Sequence, residues 1–506
     1  MQTPLFEIKG FGGGMTLSDT IGNENQFKIG KNLDFEAKAG KLTCGVGWAP
    51  NYESYNTPLS ANMVSILKAT NGEVYIGGSD TKIYQLNNIT PYADIIVAHD
   101  VTAAGAIESL AEYGDHVYWG QASRIGRTTL TGGIAWNDNW RTSLAGGIIP
   151  LKVSADNKLY AGNGSNVASY DESTSAYVAA ALPLPDDYDI RTLENFGYKY
   201  LAIGANTVYT SFINASNCKI FLWDRSTDSS WNDEINIPEK SIQAMIFSGG
   251  YLWFWAGANA NLYVVPEDSR KATKMFSFEM ENKRTELVVY PNSVKEKDGK
   301  IYFGLSDTEV QSSFSEKLHP RNPTGIYSFP SDPNNFKLNL EYNYTGNIEK
   351  YYALENTSFG QGENYLMAGT EYATSTTATV YAFKRQSVAP NEYNYKDNGE
   401  YESFTYRAPA NKQLAIESFG IEFEPLPAGC NISMYYKKDG DSAWNTVFEN
   451  FSTTDATEKI TLKKVTAKSL KIKLLMRGNT SGTTRYFRPF IERVFTTGHL
   501  TARLPH

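Results

Sequence analysis

The sequence predicts an all-β protein: a seven-bladed β-propeller, preceded by an N-terminal arm and followed by a C-terminal β-sandwich of jelly-roll type. Three observations carry that expectation. One phrase, a turn followed by an aromatic-rich strand that closes on glycine, returns along the middle of the chain. Its apolar positions alternate or run in blocks of three to five, too often broken by Gly or Asn for a helix. The composition, 41% hydrophobic with 33 Tyr and 25 Phe, suits strands and a large core.

The phrase is clearest at 71–86, NGEVYIGGSDTKIYQL, where Asn71-Gly72 opens one strand and Gly77-Gly78 separates it from the next. It returns as GDHVYWG (114–120), DNKLYAG (156–162), GYKYLAIG (197–204), GYLWFWAG (250–257), DGKIYFG (298–304) and GENYLMAG (362–369). The closing glycines stand at 77, 120, 162, 204, 257, 304 and 369. Spacings near 40 to 65 residues, filled by strands and turns, are the mark of blades that bury their faces against one another. Glycine at the end of each strand reads as a turning point of the backbone, where a positive φ would exclude a side chain.

Taken in order, residues 1–57 do not carry the repeat. They are Gly-rich at Gly10, Gly12, Gly13 and Gly14, then amphipathic, and read as an arm that supplies a closing strand to the propeller. The propeller spans 58–390, with tight blades up to about residue 182. The stretch 213–233, INASNCKIFLWDRSTDSSWND, reads as a polar loop carrying Trp223 and Trp231, two side chains able to anchor a partner or stack on a sugar; the alternative is packing over a blade edge. The run Tyr251 to Trp255 is too continuous for a surface. Insertions at 312–324 and 332–352 stretch the last two blades; in the second, Phe336, Leu338, Leu340 and Tyr342 alternate with polar residues as in a half-buried strand. A polar linker at 391–400 leads to a docking domain at 401–506, in which seven short strands and turns at 438–440 and 478–479 suit a sandwich.

No catalytic, cofactor-binding or metal-binding residue is expected. The five His (99, 116, 319, 499, 506) are scattered, and the three Cys (44, 218, 430) are far apart. A glycosidase would need two carboxylates about 5 to 10 Å apart. Asp80, Asp115, Asp156, Asp298 and Asp307 offer themselves, but each stands where Asp has a turn-forming reason to be. The stretch 437–444, KKDGDSAW, is similar to the Asp-box of sialidases, with its Gly one place early and no second copy; it reads as a hairpin turn. No apolar run reaches the roughly 18 residues of a membrane helix, and the opening MQTPLFEIKGFGGG lacks the order of a secretory signal.

The order Gly13-Gly14, Leu17-Ser18-Asp19, Asn25-Gln26-Phe27, Lys31 to Phe35, Gly40-Lys41-Leu42 and Gly45 resembles the opening of tailed-bacteriophage virion proteins, in which an arm leads into a propeller. The layout is similar to that of packaged-DNA stabilisation and tail nozzle proteins. The resemblance implies a non-enzymatic component of the tail or head–tail connector, assembled as a homo-oligomeric ring in the host cytoplasm. Its partners would be copies of itself and other virion proteins, with packaged DNA or a host surface glycan as further contacts. The second function class is a carbohydrate-directed protein, either a lectin or a glycoside hydrolase with a binding module.

Charge adds one candidate surface. Residues 459–506 hold eleven basic residues and a single acid, Glu492, although the whole chain carries −8. Lys471 and Lys473 alternate with Leu470, Ile472 and Leu474, which places both lysines on the face away from the core. With Lys464 they form an expected docking face for an acidic partner; the bland alternative is a solvated strand whose lysines discourage edge pairing.

Overall fold

The computed structural model describes residues 4–9, 11, 27–31, 33–34, 41–44, 48–51, 62–86, 95–101, 105–130, 135–145, 147–207, 217–228, 230–278, 287–307, 324–342, 348–359, 363–372, 380–385, 398–481 and 485–502. Among them the architecture is all-β. The only helical turns among the described residues are two short 3-10 segments, Pro291–Ser293 and Pro333–Asn335. No helix is long and apolar enough to cross a membrane. Gly10, Gly12 to Gly14, residues 312–323 of the first long insertion, residues 343–347 of the second and residues 386–397 lie outside the described residues.

Four-stranded antiparallel sheets follow one another along the chain. Sheet one is Met63–Lys68, Val74–Gly78, Lys82–Leu86 and Ile95–Asp100; sheet two is Ser109–Tyr113, His116–Gln121, Arg124–Thr129 and Trp136–Arg141. Sheet three is Leu151–Val153, Leu159–Asn163, Asn166–Asp171 and Ala176–Pro183; sheet four is Tyr188–Phe196, Tyr200–Thr207, Cys218–Trp223 and Asp233–Asn236. Sheet five is Ile242–Ser248, Tyr251–Ala256, Asn261–Pro266 and Thr273–Phe276. Sheet six is Val294–Lys297, Lys300–Asp307, Gly325–Pro330 and Asn339–Tyr342. Sheet seven is Ile348–Phe359, Glu363–Tyr372 and Val380–Arg385, and its fourth strand is Trp48–Asn51 from the other end of the chain.

The second strand of each sheet is buried on both faces, which is why it reads as an aromatic run. Trp253 and Trp255 are fully buried, and so are Trp119, Tyr118 and Phe303. Cores form between successive sheets: Trp255 meets Phe303 at 4.9 Å, and Tyr160 meets Trp223 edge-on at 5.6 Å.

The closing glycines act differently from the expectation. Gly77, Gly120, Gly162, Gly204, Gly304 and Gly369 lie within second strands and none has positive φ; only Gly257 (φ +75°) sits in a turn. Their missing side chain makes room for the next sheet. A Cβ on Gly77 would stand 2.6 Å from Ile107 Cβ, on Gly120 2.3 Å from Ile149 O, on Gly304 2.4 Å from Tyr351 Cβ, and on Gly369 2.3 Å from Met63 O in sheet one. Hydrogen bonds fasten the same joints. Ser65 Oγ donates to Ile107 O (2.6 Å), Ser109 Oγ to Ile149 O (2.5 Å) and Ile190 N to Gly164 O (2.9 Å). The Asn206 amide exchanges two bonds with the Ile242 backbone, the Gln243 amide spans Gly257 O, Leu287 O and Val289 N, and Ser306 Oγ accepts from Tyr351 N.

The arm does more than close a sheet. Pro4–Lys9 pairs with Ile491–Ala502 as the edge of a terminal sheet that continues through Lys412–Phe423 to Glu458–Ala467. Phe27–Lys31 pairs antiparallel with Asn398–Ser403 and touches Asn339–Tyr342 in parallel at Lys31 and Leu340. It therefore joins sheet six to a second terminal sheet, in which Asn398–Ser403, Ser469–Arg477, Asn431–Lys438 and Asn445–Phe451 lie side by side. Ile8, Phe11, Leu33 and Leu42 share one core with Phe419, Ile421, Met434 and Leu474. Lys41 Nζ reaches Glu424 and Glu492, 2.5 Å from each. The arm thus packs with the C-terminal segment because its apolar residues find their burial there, and residues 398–400 of the expected linker are already strand.

Candidate functional site

The aspartates offered by the repeat serve turns and strands. Asp80 Oδ2 accepts from the Tyr84 hydroxyl (2.6 Å) and Asp156 Oδ2 from Tyr160 (2.7 Å); Asp298 holds a turn at φ +52°, Asp115 O receives Leu130 N, and Asp307 pairs with Leu287 in the ladder. The histidines clip neighbours together. His99 Nε2 lies 2.7 Å from Asp138 and stacks on Trp136 at 4.1 Å, while His116 Nδ1 lies 3.3 Å from Glu172. No group of three or more His, Cys, Asp or Glu among the described residues could hold a metal ion. Cys218 is buried, and burial pushes its thiol up to about 12. The KKDGDSAW stretch is a hairpin turn: Asp439 Oδ1 accepts from Lys468 N and Ser469 N, with Gly440 at φ +84°.

A different group of charges gathers where the first strands begin. Arg191 is an extra residue in its strand, between the Ile190 and Thr192 ladder positions, and Val64 and Gln243 occupy the same place in sheets one and five. Such a bulge turns one side chain out of the alternating pattern. The Arg191 guanidinium lies 2.9 Å from Asp189, and both side chains are largely buried. Glu108, the residue before the first strand of sheet two, has its Oε2 buried with no hydrogen-bond partner among the described residues. Burial lifts its carboxyl to about 7; Arg191 opposes the shift and Asp189 adds to it. Burial also raises Asp189, again against Arg191. Asn292 crosses to the same place from the turn before sheet six, donating to Glu108 O (2.6 Å) and Val64 O (3.1 Å).

This cluster can hold a proton at neutral pH beside a fixed cation, and it was missed in the sequence. The available signal was three dipeptides, Glu108-Ser109, Arg191-Thr192 and Asn292-Ser293, each a polar residue followed by a small hydroxyl residue in or just before the first strand of a sheet.

The expected docking residues separate. Trp223 is 2% exposed, the last residue of a strand rather than part of a polar loop, and Trp231 packs edge-on against Phe221 at 5.1 Å. Trp223 is therefore not available as an anchor, whereas Trp231 remains partly exposed. The reason is local: CKIFLW (218–223) is a strand in which every residue except Lys219 is buried. Lys471 and Lys473 do point away from a core formed by Leu470, Ile472 and Leu474. Lys473, however, is ion-paired to Glu400, lies 3.7 Å from Glu402 and covers Trp444 at 5.7 Å. Lys464 is on the other terminal sheet, exposed on the edge strand Glu458–Ala467, so the three lysines do not make one face.

No family model matches the chain, and no curated protein matches it. Solved structures do show a similar course of the backbone. The WD40 domain of Neurospora crassa Pan2 is 11% identical over 68% of this chain and 95% of its own, with a TM-score of 0.44. Virginiamycin B lyase from Staphylococcus aureus is 14% identical over 65% and 97%, with a TM-score of 0.45. The WD40 β-propeller domain of Doa1 is 10% identical over 65% and 95%, with a TM-score of 0.43.

Proposed function

We propose that this chain is a non-enzymatic structural component of a tailed-phage virion, a protein of the tail or head–tail connector that assembles as a ring of identical copies. In this reading sheets one to seven are the blades of a propeller, closed where Gly369 receives Met63 and where Trp48–Asn51 completes sheet seven. The two terminal sheets are a sandwich that docks to neighbours. Copies of the chain and other virion proteins are the partners, and the virion is the location after assembly in the host cytoplasm.

The observation that carries the reading is the path of the arm. The segment that resembles phage openings is laced between sheet six and the terminal sheets, with Phe27–Lys31 touching both. That use of sequence ties modules together and builds no reaction centre. Mass spectrometry of purified particles, followed by antibody labelling of intact virions, tests it. Presence at fixed stoichiometry in the tail or connector is expected, and absence from particles would overturn the reading.

The carbohydrate-directed alternative is favoured by one observation, the carboxyl of Glu108 held near neutrality within the influence of Asp189. A screen for turnover on polysaccharides separates the two. Cleavage abolished by Glu108→Gln would replace the structural reading with a hydrolase.

A further inference from the structure

We propose that Arg127 and Arg141, held against Trp140 on the outer edge of sheet two, form a binding site for an acidic polysaccharide, whose carboxylate they receive. The site stands on geometry. Arg141 lies 4.1 Å from the Trp140 ring centroid and 4.7 Å from that of Tyr177 in sheet three; Arg127 lies over Trp140 at 5.2 Å. Each ring attracts a guanidinium to its face and fixes its plane. Tyr118 and Tyr170 brace Trp140 edge-on at 5.0 and 4.7 Å, so the platform is rigid.

Charge distinguishes these two arginines from those that are ion-paired; Arg124 in the same sheet likewise meets only a neutral acceptor, Asn139, but has no aromatic ring beneath it among the described residues. Arg191, Arg225, Arg270 and Arg493 each have a carboxylate within 4.0 Å. Arg127 and Arg141 have none among the described residues, in a chain whose net charge is −8. Among the described residues their acceptors are neutral: Arg127 donates to the Tyr118 hydroxyl (3.4 Å) and Arg141 to Trp140 O (2.9 Å). The Arg141 Nε and the Tyr177 hydroxyl are buried with no hydrogen-bond partner among the described residues. Half-buried cations without a counter-ion are costly to keep, and a planar fork of donors matches a carboxylate with two bonds. Asn137, exposed and opposite Arg127 in the ladder, supplies an amide for sugar hydroxyls.

The site does not depend on the virion reading, since a carbohydrate-directed protein would use it equally. Titration calorimetry of the full chain with polygalacturonate, neutral dextran and single-stranded DNA tests it. Binding of polygalacturonate that weakens with salt is expected, with none to dextran. Arg127→Gln and Arg141→Gln should each weaken it by about tenfold or more, and Lys464→Gln should not. If Arg141→Gln fails to fold, Arg127→Gln decides alone. The proposal is overturned if polygalacturonate does not bind, if both variants bind as the parent does, or if DNA binds as tightly through the same arginines.

Discussion

The side chain of Asn339 clasps the backbone of Leu33: Nδ2 donates to Leu33 O at 2.8 Å, and Oδ1 accepts from Leu33 N at 3.4 Å. The two residues are 306 positions apart, and both are buried. Asn339 begins the outer strand of sheet six, and Leu33 belongs to the core shared by the arm and the terminal sheets. One amide therefore couples the two halves of the molecule.

Replacing Asn339 by Ala should remove both bonds and leave two buried backbone groups unpaired, at a cost of about 1–3 kcal/mol. Because the loss falls at the seam, the terminal sheets should melt before the rest. Calorimetry of Asn339→Ala resolving a new, earlier transition is the expected outcome; one unshifted transition would show that the clasp contributes nothing.

Crowding at the strand glycines, with no need for left-handed backbone, gives a second prediction. Gly120→Ala places a Cβ 2.3 Å from Ile149 O, and the joint between sheets two and three must open, costing about 1–3 kcal/mol. Gly120→Asn should be worse, because Asn is larger. Gly440 is the control: its φ is +84° with nothing within 4 Å of a Cβ. There Asn should be better tolerated than Ala, since Asn accepts left-handed backbone more readily. Urea midpoints of the four variants test the opposite orders.

The repeat shows how much was legible. Alternating apolar runs and turn glycines were enough to find the second strands, because that burial pattern is written locally. The role of the glycines was not, since the crowding comes from Ile107, Ile149 or Met63 in another sheet. Trp223 was misplaced for a related reason: polar residues on both sides hid a six-residue strand whose partner is Tyr200–Thr207. The arm's attachment and the Glu108–Asp189–Arg191 cluster depend on contacts across 80 or more positions, which no local pattern records.

The pH dependence of stability follows from Glu108. Its usual value of 4.5 is raised to about 7 in the folded chain, chiefly by burial. The folded state therefore binds a proton that the unfolded state gives up above 4.5. Stability from this group is full below about 4.5, falls as pH rises toward 7 and stays low above it, by up to about 3 kcal/mol. Glu108→Gln cannot ionise and should flatten that decline. Urea unfolding at pH 5, 6.5 and 8 should show the variant gaining on the parent as pH rises; parallel curves would mean that the carboxyl is not protonated in the fold.

The lysines allow local stability to be separated from docking. Lys473 neutralises Glu400 and stands beside Glu402, whose carboxyl is itself raised, mainly by burial. Lys473→Glu would put three carboxylates together on one face of a sheet, so the terminal sheets should lose stability before any partner is involved. Lys464 is exposed and has no ion-pair partner among the described residues. Reversing it should change stability by no more than about 0.5 kcal/mol. If an acidic partner meets this edge strand, Lys464→Glu should weaken association at low ionic strength, and the difference from the parent should shrink as salt screens it. Thermal melts and sedimentation at two salt concentrations distinguish the cases. An unchanged melt with weakened, salt-sensitive association places docking on the Glu458–Ala467 edge. Association that survives Lys464→Glu at low salt would leave this lysine as a solvated residue on a guarded strand edge.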